Sequence, residues 1–458
     1  MSNQVLSNWT PEDPAFWKSR GASIANRNLW ISIPALMLAF AVWSLWSVTV
    51  VSLEKGGFHF SKNQLFWLTA LPALSGATLR IFYSFLVPVF GGRRFTAFST
   101  ATLLIPALGI GFALRDPSTS YPTLLVLALL CGFGGANFSS SMANISFFFP
   151  KAKKGLATGL NAGVGNLGVS LVQFVTPLVI ATGVLAGGGA TFVKDRVEHG
   201  IWLQNAGFVW VPFIVAATLA AWFGMNDIAD AKASFAEQAV IFRRKHNWLM
   251  CWLYVGTFGS FIGFSAGFAL LTKSQFPAVD PTAYAFLGPL AGALMRPVGG
   301  WVSDKLGGAR VTLWTFIAMI AAVFAVIHFL PAGDAPGSFG GFLGTFIVLF
   351  ALTGIGNGST FRMIPVIFMT ARQREARGQD DAAQRRAQQE AGKESAAVLG
   401  FAGALGAYGG FFIPKTFGSA LDLTGSPVAA LYVFVAFYAT CVAITWFCYA
   451  RRNADMPC

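Results

Sequence analysis

Charge is what this sequence has least of. Only 11% of its 458 residues are Asp, Glu, Lys or Arg, against about 25% in a soluble chain of average composition. The deficit excludes a globular protein in water, and with it the prior of roughly one domain per 150 residues. Histidine is scarce as well. His59, His199, His246 and His328 all fall in loops or near the ends of apolar runs. No nucleophile–base pair and no metal-ligand cluster can be assembled from them, so the reading is not an enzyme, and no cofactor and no metal are called for. The five cysteines (Cys131, Cys251, Cys441, Cys448, Cys458) form no CxxC pair and sit mostly in apolar runs. They read as packing residues without a disulfide framework. The first 28 residues are polar, carry both signs and include "NWTPEDPAFWKSRGASIANRN". They read as a cytoplasmic lead-in without a cleavable signal peptide.

What is present is apolar bulk and glycine. Hydrophobic residues make up 55% of the chain, with 50 Gly and 45 Phe. Glycine is more frequent in membrane helices than in soluble ones, because small residues let such helices pack closely. Spanning a bilayer takes about 20 apolar residues. Twelve runs meet that need, at roughly 29–52, 64–90, 95–114, 122–149, 155–186, 205–225, 247–271, 282–302, 311–331, 340–369, 395–420 and 427–450. The expected fold is an all-α membrane protein of twelve transmembrane helices. The polar stretch 226–246 divides it into a six-helix half at 29–225 and a second at 247–450, with a tail at 451–458. A further charged loop, 370–394, alternates in sign and reads as a solvated, helical surface segment.

The net charge of +13 raises the question of nucleic acid. The placement of the basic residues answers it. With the N-terminus inside, 22 of the 32 Lys and Arg fall in cytoplasmic segments and about seven on the opposite side. That is the positive-inside pattern, and it puts both termini in the cytoplasm. No nucleic-acid partner is needed. The environment is the lipid bilayer, and a monomer is expected.

The two halves repeat. "GATLRIFYSFLVPVFGGRR" (76–94) aligns with "GALMRPVGGWVSDKLGGAR" (292–310) at an offset of 216, matching Arg80 to Arg296 and Arg94 to Arg310. Gly159, Gly165 and Gly168 match Gly400, Gly406 and Gly409 at an offset of 241. Repeats of this kind belong to transporters whose site lies between the halves near the bilayer midplane. Arg80 and Arg296 each lie eleven residues from the following glycine turn. At 1.5 Å per residue that is roughly 16 Å deep, near the bilayer centre. No Asp or Glu lies at that depth: Glu54, Asp116, Asp195, Asp280, Asp304 and Asp422 are typical in falling in loops or at helix ends. Two buried guanidiniums without carboxylates need compensation, either from a mobile anion or from backbone carbonyls. The first is the reading adopted here, with a small, flat oxyanion as the match for the planar guanidinium fork.

Two glycine-rich helices are the second clue: "GLATGLNAGVGNLGVS", with Gly159, Gly163, Gly165 and Gly168, and "GFAGALGAYGGFF", with Gly400, Gly403, Gly406 and Gly409. Each helical Gly costs about 1 kcal/mol relative to Ala. Close packing explains part of that cost, and a smooth surface for rocking helices explains more. Asn161 and Asn166 bring amide donors into the first of them. Phe138, Tyr254 and Phe258 are candidates to line a pocket, the Phe rings as faces for a flat anion and Tyr254 as a hydroxyl.

These segments, with "RNLWISIPALMLAFAVWSL", "QLFWLTALPALSGATLR" and "GSFIGFSAGFALLTKSQFP", resemble the NarK/NarU nitrate–nitrite porters of the major facilitator superfamily over nearly the whole chain. The two glycine-rich segments resemble that family's nitrate signature motifs, which are specific. "GGWVSDKLGGAR" resembles the superfamily's general cytoplasmic loop motif. The resemblance implies nitrate or nitrite held between Arg80 and Arg296, with Asn166, Tyr254, Phe138 and Phe258 completing the pocket. Two positions depart from the family pattern. Ala162 stands where the pattern has a glycine whose backbone meets the anion. Arg362 stands where similar porters have Gln, and is expected to snorkel toward loop 370–394 rather than line the vestibule.

The expected function is nitrate/nitrite exchange across a bacterial inner membrane by rocking of two halves. A proton-coupled symporter of the same fold is the first alternative. An anion channel or a sensor is more distant, because the chain offers one central charged pair and no continuous polar path.

Overall fold

Lipid leaves backbone N–H and C=O groups no partner but each other, so long apolar runs fold as helices. The computed structural model of the chain describes residues 4–183, 188–194, 197–229, 240–333 and 335–458. Its long helices are α1 Pro14–Ser52, α2 Lys62–Phe90, α3 Gly92–Ala113, α4 Tyr121–Phe148, α5 Lys151–Ile180 and α6 Asn205–Gly224. They continue with α7 Lys245–Gln275, α8 Leu287–Leu306, α9 Gly308–Phe329, α10 Phe339–Glu375, α11 Asp381–Thr424 and α12 Val428–Ala450. Among the described residues, 11 are long and apolar enough to cross a membrane. The remaining one, α8, carries Arg296, Asp304 and Lys305 within 20 residues.

Helix ends follow local chemistry. α2 starts on a capping box: Gln64 N donates to Ser61 Oγ (3.2 Å) while Ser61 N donates to the Gln64 side chain (2.8 Å). Such caps contribute about 1 kcal/mol. α2 and α8 both stop at a glycine of positive φ, Gly91 at +85° and Gly307 at +90°, a conformation costly for other residues. The 216-residue repeat in sequence is thus a repeat in backbone.

Several boundaries differ from the apolar runs. α1 begins at Pro14, because the polar residues before Asn28 continue the helix outside the apolar stretch. The fifth run ends at Ile180, and residues 184–186 of it lie outside the described residues. Lys232 and Asp195 lie outside them too. Between α5 and α6 runs an antiparallel hairpin, β2 (Ala190–Lys194) with β3 (Val197–Ile201). It was not anticipated, because two five-residue strands leave little trace in hydropathy. The charged stretch 370–394 is helical on both sides of a short turn, as expected. It is less solvated than expected: Glu394 is buried and takes ion pairs from Arg244 (3.2 Å) and Arg372 (2.6 Å).

The lead-in is tied to the far end of α6. β1 (Val5–Leu6) pairs in parallel with β4 (Asp227–Ile228). Trp9 packs on Phe148 and Trp17 on Phe149. Asp227 accepts from the backbone N of Arg93 (2.8 Å) and pairs with its side chain (3.3 Å). At the other end of the chain, Lys245 pairs with Asp455 and Ala309 N donates to the Cys458 carbonyl. Both termini therefore lie on one face, which also holds the start of α7.

The helices α1–α6 meet α7–α12 at the level of Arg80 and beyond it, away from that terminal face. Ser170 Oγ donates to the Phe286 carbonyl (2.9 Å), Gln173 Nε2 to the Ser265 carbonyl (2.8 Å) and Lys415 Nζ to Asn63 (2.7 Å). Phe66 packs with Phe417 and Trp67 with Phe411. Toward the terminal face the two groups part. A Cβ built on Gly155, Gly159, Gly163, Gly392 or Gly400 would meet nothing within 4 Å.

Candidate functional site

Arg80 comes from the middle of α2 and is 1% exposed, and Arg296 comes from α8 and is 8% exposed. Neither takes part in an ion pair among the described residues, and each lies within electrostatic range of the other and of Tyr254. Arg80 Nε donates to the Gly135 carbonyl (2.7 Å) on α4. Its Nη1 donates to the Gly403 carbonyl (2.8 Å) on α11, reaching across to the other group of helices. The guanidinium carbon sits 4.9 Å from the Trp43 ring, 4.8 Å from Phe138, 5.4 Å from Phe258 and 6.0 Å from Phe40. A cation over an aromatic face is attracted by about 0.5–2 kcal/mol per contact when desolvated. Carbonyls and rings thus meet part of the cost of burying this charge. They do not meet all of it, because Nη2 of Arg80 is buried without a partner.

Arg296 is held more loosely. Its Nη2 makes a long contact of 3.5 Å to the Tyr254 hydroxyl, its Nη1 is buried without a partner, and Phe361 lies 5.2 Å away. The two guanidiniums therefore each retain a buried, unpaired N–H group. Each such group costs on the order of 1–3 kcal/mol until an acceptor arrives.

The rings form a stack beside the arginines. Phe138 lies at 25° to Phe258 with centroids 6.4 Å apart, and Phe258 lies at 24° to Tyr254 at 5.4 Å. α11 reaches this stack through glycine. A Cβ on Gly406 would meet Tyr254 at 2.8 Å, and one on Gly403 would touch Phe138 at 3.5 Å. Tyr408 closes the level above, its hydroxyl 2.8 Å from Thr78. So Arg80, Arg296, Tyr254, Phe138 and Phe258 are brought together, with Gly403 and Gly406 against them. Trp43, Phe40, Phe361 and the carbonyls of Gly135 and Gly403 were missed. A backbone oxygen has no signature in sequence, and a single Trp or Phe in an apolar run has little.

Ala162 and Asn166 lie four residues apart on α5, hence on one face, and both are buried. The Asn166 carbonyl oxygen is buried without a partner. Asn161 corrects the expectation of a free donor: its amide donates to Ser141 Oγ (2.8 Å). Arg362 is also corrected. It pairs with Asp304 of α8, not with stretch 370–394. One turn of α8 brings that carboxylate to its side, which sequence distance concealed.

The glycine helices divide by role. Gly168 and Gly409 are sites of backbone contact: an added Cβ would lie 2.0 Å from the Met37 carbonyl and 2.4 Å from Gly259 Cα. Gly165 meets the Leu36 side chain at 2.8 Å. Gly159, Gly163 and Gly400 face open space, so close packing does not explain them in this conformation.

Comparison with known proteins agrees with this architecture. A model of the Major Facilitator Superfamily matches residues 31–380. The chain is 54% identical over 455 residues to the nitrate/nitrite transporter NarU of Escherichia coli K12, spanning 99% of this chain and 97% of that protein. It is 42% identical to the probable nitrate/nitrite antiporter NarK2 of Thermus thermophilus, over 99% and 98% of the two chains. Among solved structures, a bacterial homolog of the human lysosomal transporter Spinster, in an inward-facing and occupied conformation, superposes with a TM-score of 0.59 at 14% identity. That match covers 93% of this chain and 96% of the other. With 11 helices of spanning length and these bacterial transporters as relatives, this is a multi-pass protein of a bacterial inner membrane, and it belongs to the Major Facilitator Superfamily, in the NarK/NarU family.

Proposed function

We propose that the chain is a nitrate/nitrite antiporter that exchanges small planar oxyanions by alternating access. The observation that carries this reading is the pair of buried guanidiniums, each with an unpartnered N–H, beside the Phe138–Phe258–Tyr254 stack. A flat anion between them accepts both free donors and neutralises both charges. The names of the relatives, nitrate/nitrite transporter and nitrate/nitrite antiporter, point to the same substrates. Asn166, buried on α5, completes the pocket in this reading by donating from its amide nitrogen. Ala162 brings an extra methyl near that face, and narrows it.

In this reading α8 is a span despite its charges, giving twelve, and residues 29–225 and 247–450 are the two rocking halves. Residues 1–28, the linker 226–246 and the tail 451–458 then face the cytoplasm, as the 22 basic residues on that side favour. The conformation is open to the cytoplasm, with the far side sealed by the Ser170, Gln173 and Lys415 hydrogen bonds. The protein works as a monomer, since both charges of the site come from one chain.

The test is uptake of labelled nitrate into proteoliposomes preloaded with nitrite, chloride or nothing. Exchange predicts fast uptake against nitrite and little against the other two. Equal uptake in all three overturns it.

A further inference from the structure

We propose that a cavity on the terminal face, remote from the arginine pair, binds a phosphate group. It has a volume of about 350 Å3 and opens among the first turn of α7, the last turns of α10 and the C-terminal tail. Its walls carry Arg243, Arg244, Lys245, His246 and Arg374, against the single carboxylate of Glu375. That carboxylate is already engaged. Arg244 pairs with it at 2.5 Å and Arg372 at 3.0 Å. Asp455, at the edge, takes Lys245 at 3.3 Å. Glu394 also pairs with Arg244 and Arg372, and Glu390 with Arg372. The five cations Arg243, Arg244, Lys245, Arg372 and Arg374 thus meet four carboxylates, and the cluster keeps an excess of one positive charge.

The donors are unevenly spent. Arg243 makes no ion pair among the described residues. Arg374 gives one N–H to the Asp455 carbonyl (2.7 Å) and keeps the rest of its fork. His246 is anchored by the Tyr449 hydroxyl (3.0 Å), which fixes its ring at the wall. Ion pairs thus position the cluster, while Arg243 and Arg374 remain to receive a ligand. Guanidinium forks recognise phosphate oxygens in pairs. The floor is different in kind: Ile367, Phe368, Ala371 and Met456 are apolar. A cavity of this size and two-sided lining exceeds what a three- or four-atom oxyanion fills. It suits a phosphate that carries an organic portion, either as a soluble phosphate ester or as an acidic phospholipid headgroup. Basic pockets at the cytoplasmic ends of membrane helices are a recurrent setting for such headgroups.

The site does not depend on the nitrate reading, so the two can fail separately. The full-length purified chain is compared with an Arg243→Gln/Arg374→Gln variant and with Met456→Trp, which fills the floor and keeps every charge. Inorganic phosphate is the soluble probe, measured by equilibrium dialysis in detergent at constant ionic strength. Retention of phosphatidylglycerol from mixed phosphatidylcholine vesicles, read by native mass spectrometry, is the lipid probe. The thermal unfolding midpoint in detergent reports that each variant is folded. Phosphate binding that weakens about tenfold or more in the double variant assigns a soluble ligand. Selective phosphatidylglycerol retention, lost in both variants without phosphate binding, assigns the lipid. If the native chain binds neither probe, or if the folded variants bind both as it does, the proposal is overturned.

Discussion

At the scale of single residues, Arg80 and Arg296 are not equivalent, although the repeat pairs them. Arg80 gives two N–H groups to carbonyls and lies among four rings, whereas Arg296 has one long contact to Tyr254. Lysine keeps the charge and loses the fork. Arg296→Lys should leave the thermal unfolding midpoint nearly unchanged and weaken nitrate binding by about tenfold or more, the cost of one or two charge-assisted hydrogen bonds. Arg80→Lys should do the same to binding and also lower the midpoint, since it frees the Gly135 and Gly403 carbonyls. Calorimetric titration and thermal unfolding of the purified variants separate the two effects, and equal stability losses would remove the asymmetry. Tyr254→Phe takes away one hydroxyl and should cost about fivefold in affinity. The arginines were legible in sequence because a charge inside an apolar run has no ordinary explanation. Their supports were not: Gly403 lies 323 positions from Arg80 and offers only a main-chain oxygen. Arg362 shows the same limit, its partner Asp304 being 58 positions away on another helix.

At the scale of helices, the glycine segments make two different predictions. Gly168→Leu and Gly409→Leu place a side chain into backbone 2.0 and 2.4 Å away. Overpacking of that severity typically costs 1–3 kcal/mol or more, so both should unfold at lower temperature and accumulate poorly. Gly163→Leu and Gly400→Leu meet open space and should fold normally. If the helix ends on the terminal face close on each other during transport, these open positions become contacts, and both variants should lose exchange at unchanged stability. Normal exchange by Gly163→Leu would show that closure does not bury it. The motif was readable as two runs of small residues. Which glycines meet backbone was not, because that depends on the partner helix: Met37 on α1 for Gly168, Gly259 on α7 for Gly409. The twin turns at Gly91 and Gly307 were more accessible, since one repeated sequence gives one repeated φ. Even there the carboxylate beside each turn has a different origin. Asp304 belongs to its own loop motif, whereas Asp227 arrives from beyond α6 to hold Arg93.

At the scale of the whole molecule, the proposed arginine site makes a prediction about the transport cycle. Closing the empty carrier brings two guanidiniums together away from water. Two unit charges roughly 8 Å apart repel by about 2 kcal/mol at an effective dielectric of about 20, and a bound anion turns that repulsion into attraction. Loaded carriers should cross and empty ones should stall. Arginine holds its proton across the usable range, so an imposed pH gradient should change nitrate/nitrite exchange little. Nitrate accumulation driven by external acid alone, in vesicles without internal anion, would overturn this. The short β1–β4 pairing has a consequence for how such a molecule is made. Val5 and Leu6 leave the ribosome more than two hundred residues ahead of their partners Asp227 and Ile228. At about 5–20 residues per second, the lead-in waits roughly 10–45 seconds for them. Through that interval the aromatic faces of Trp9 and Trp17 can dock on α4 and α5, but the strand cannot pair. The pairing can form only after α6 has been made, so it ties the lead-in to the first six helices once all six have been synthesised.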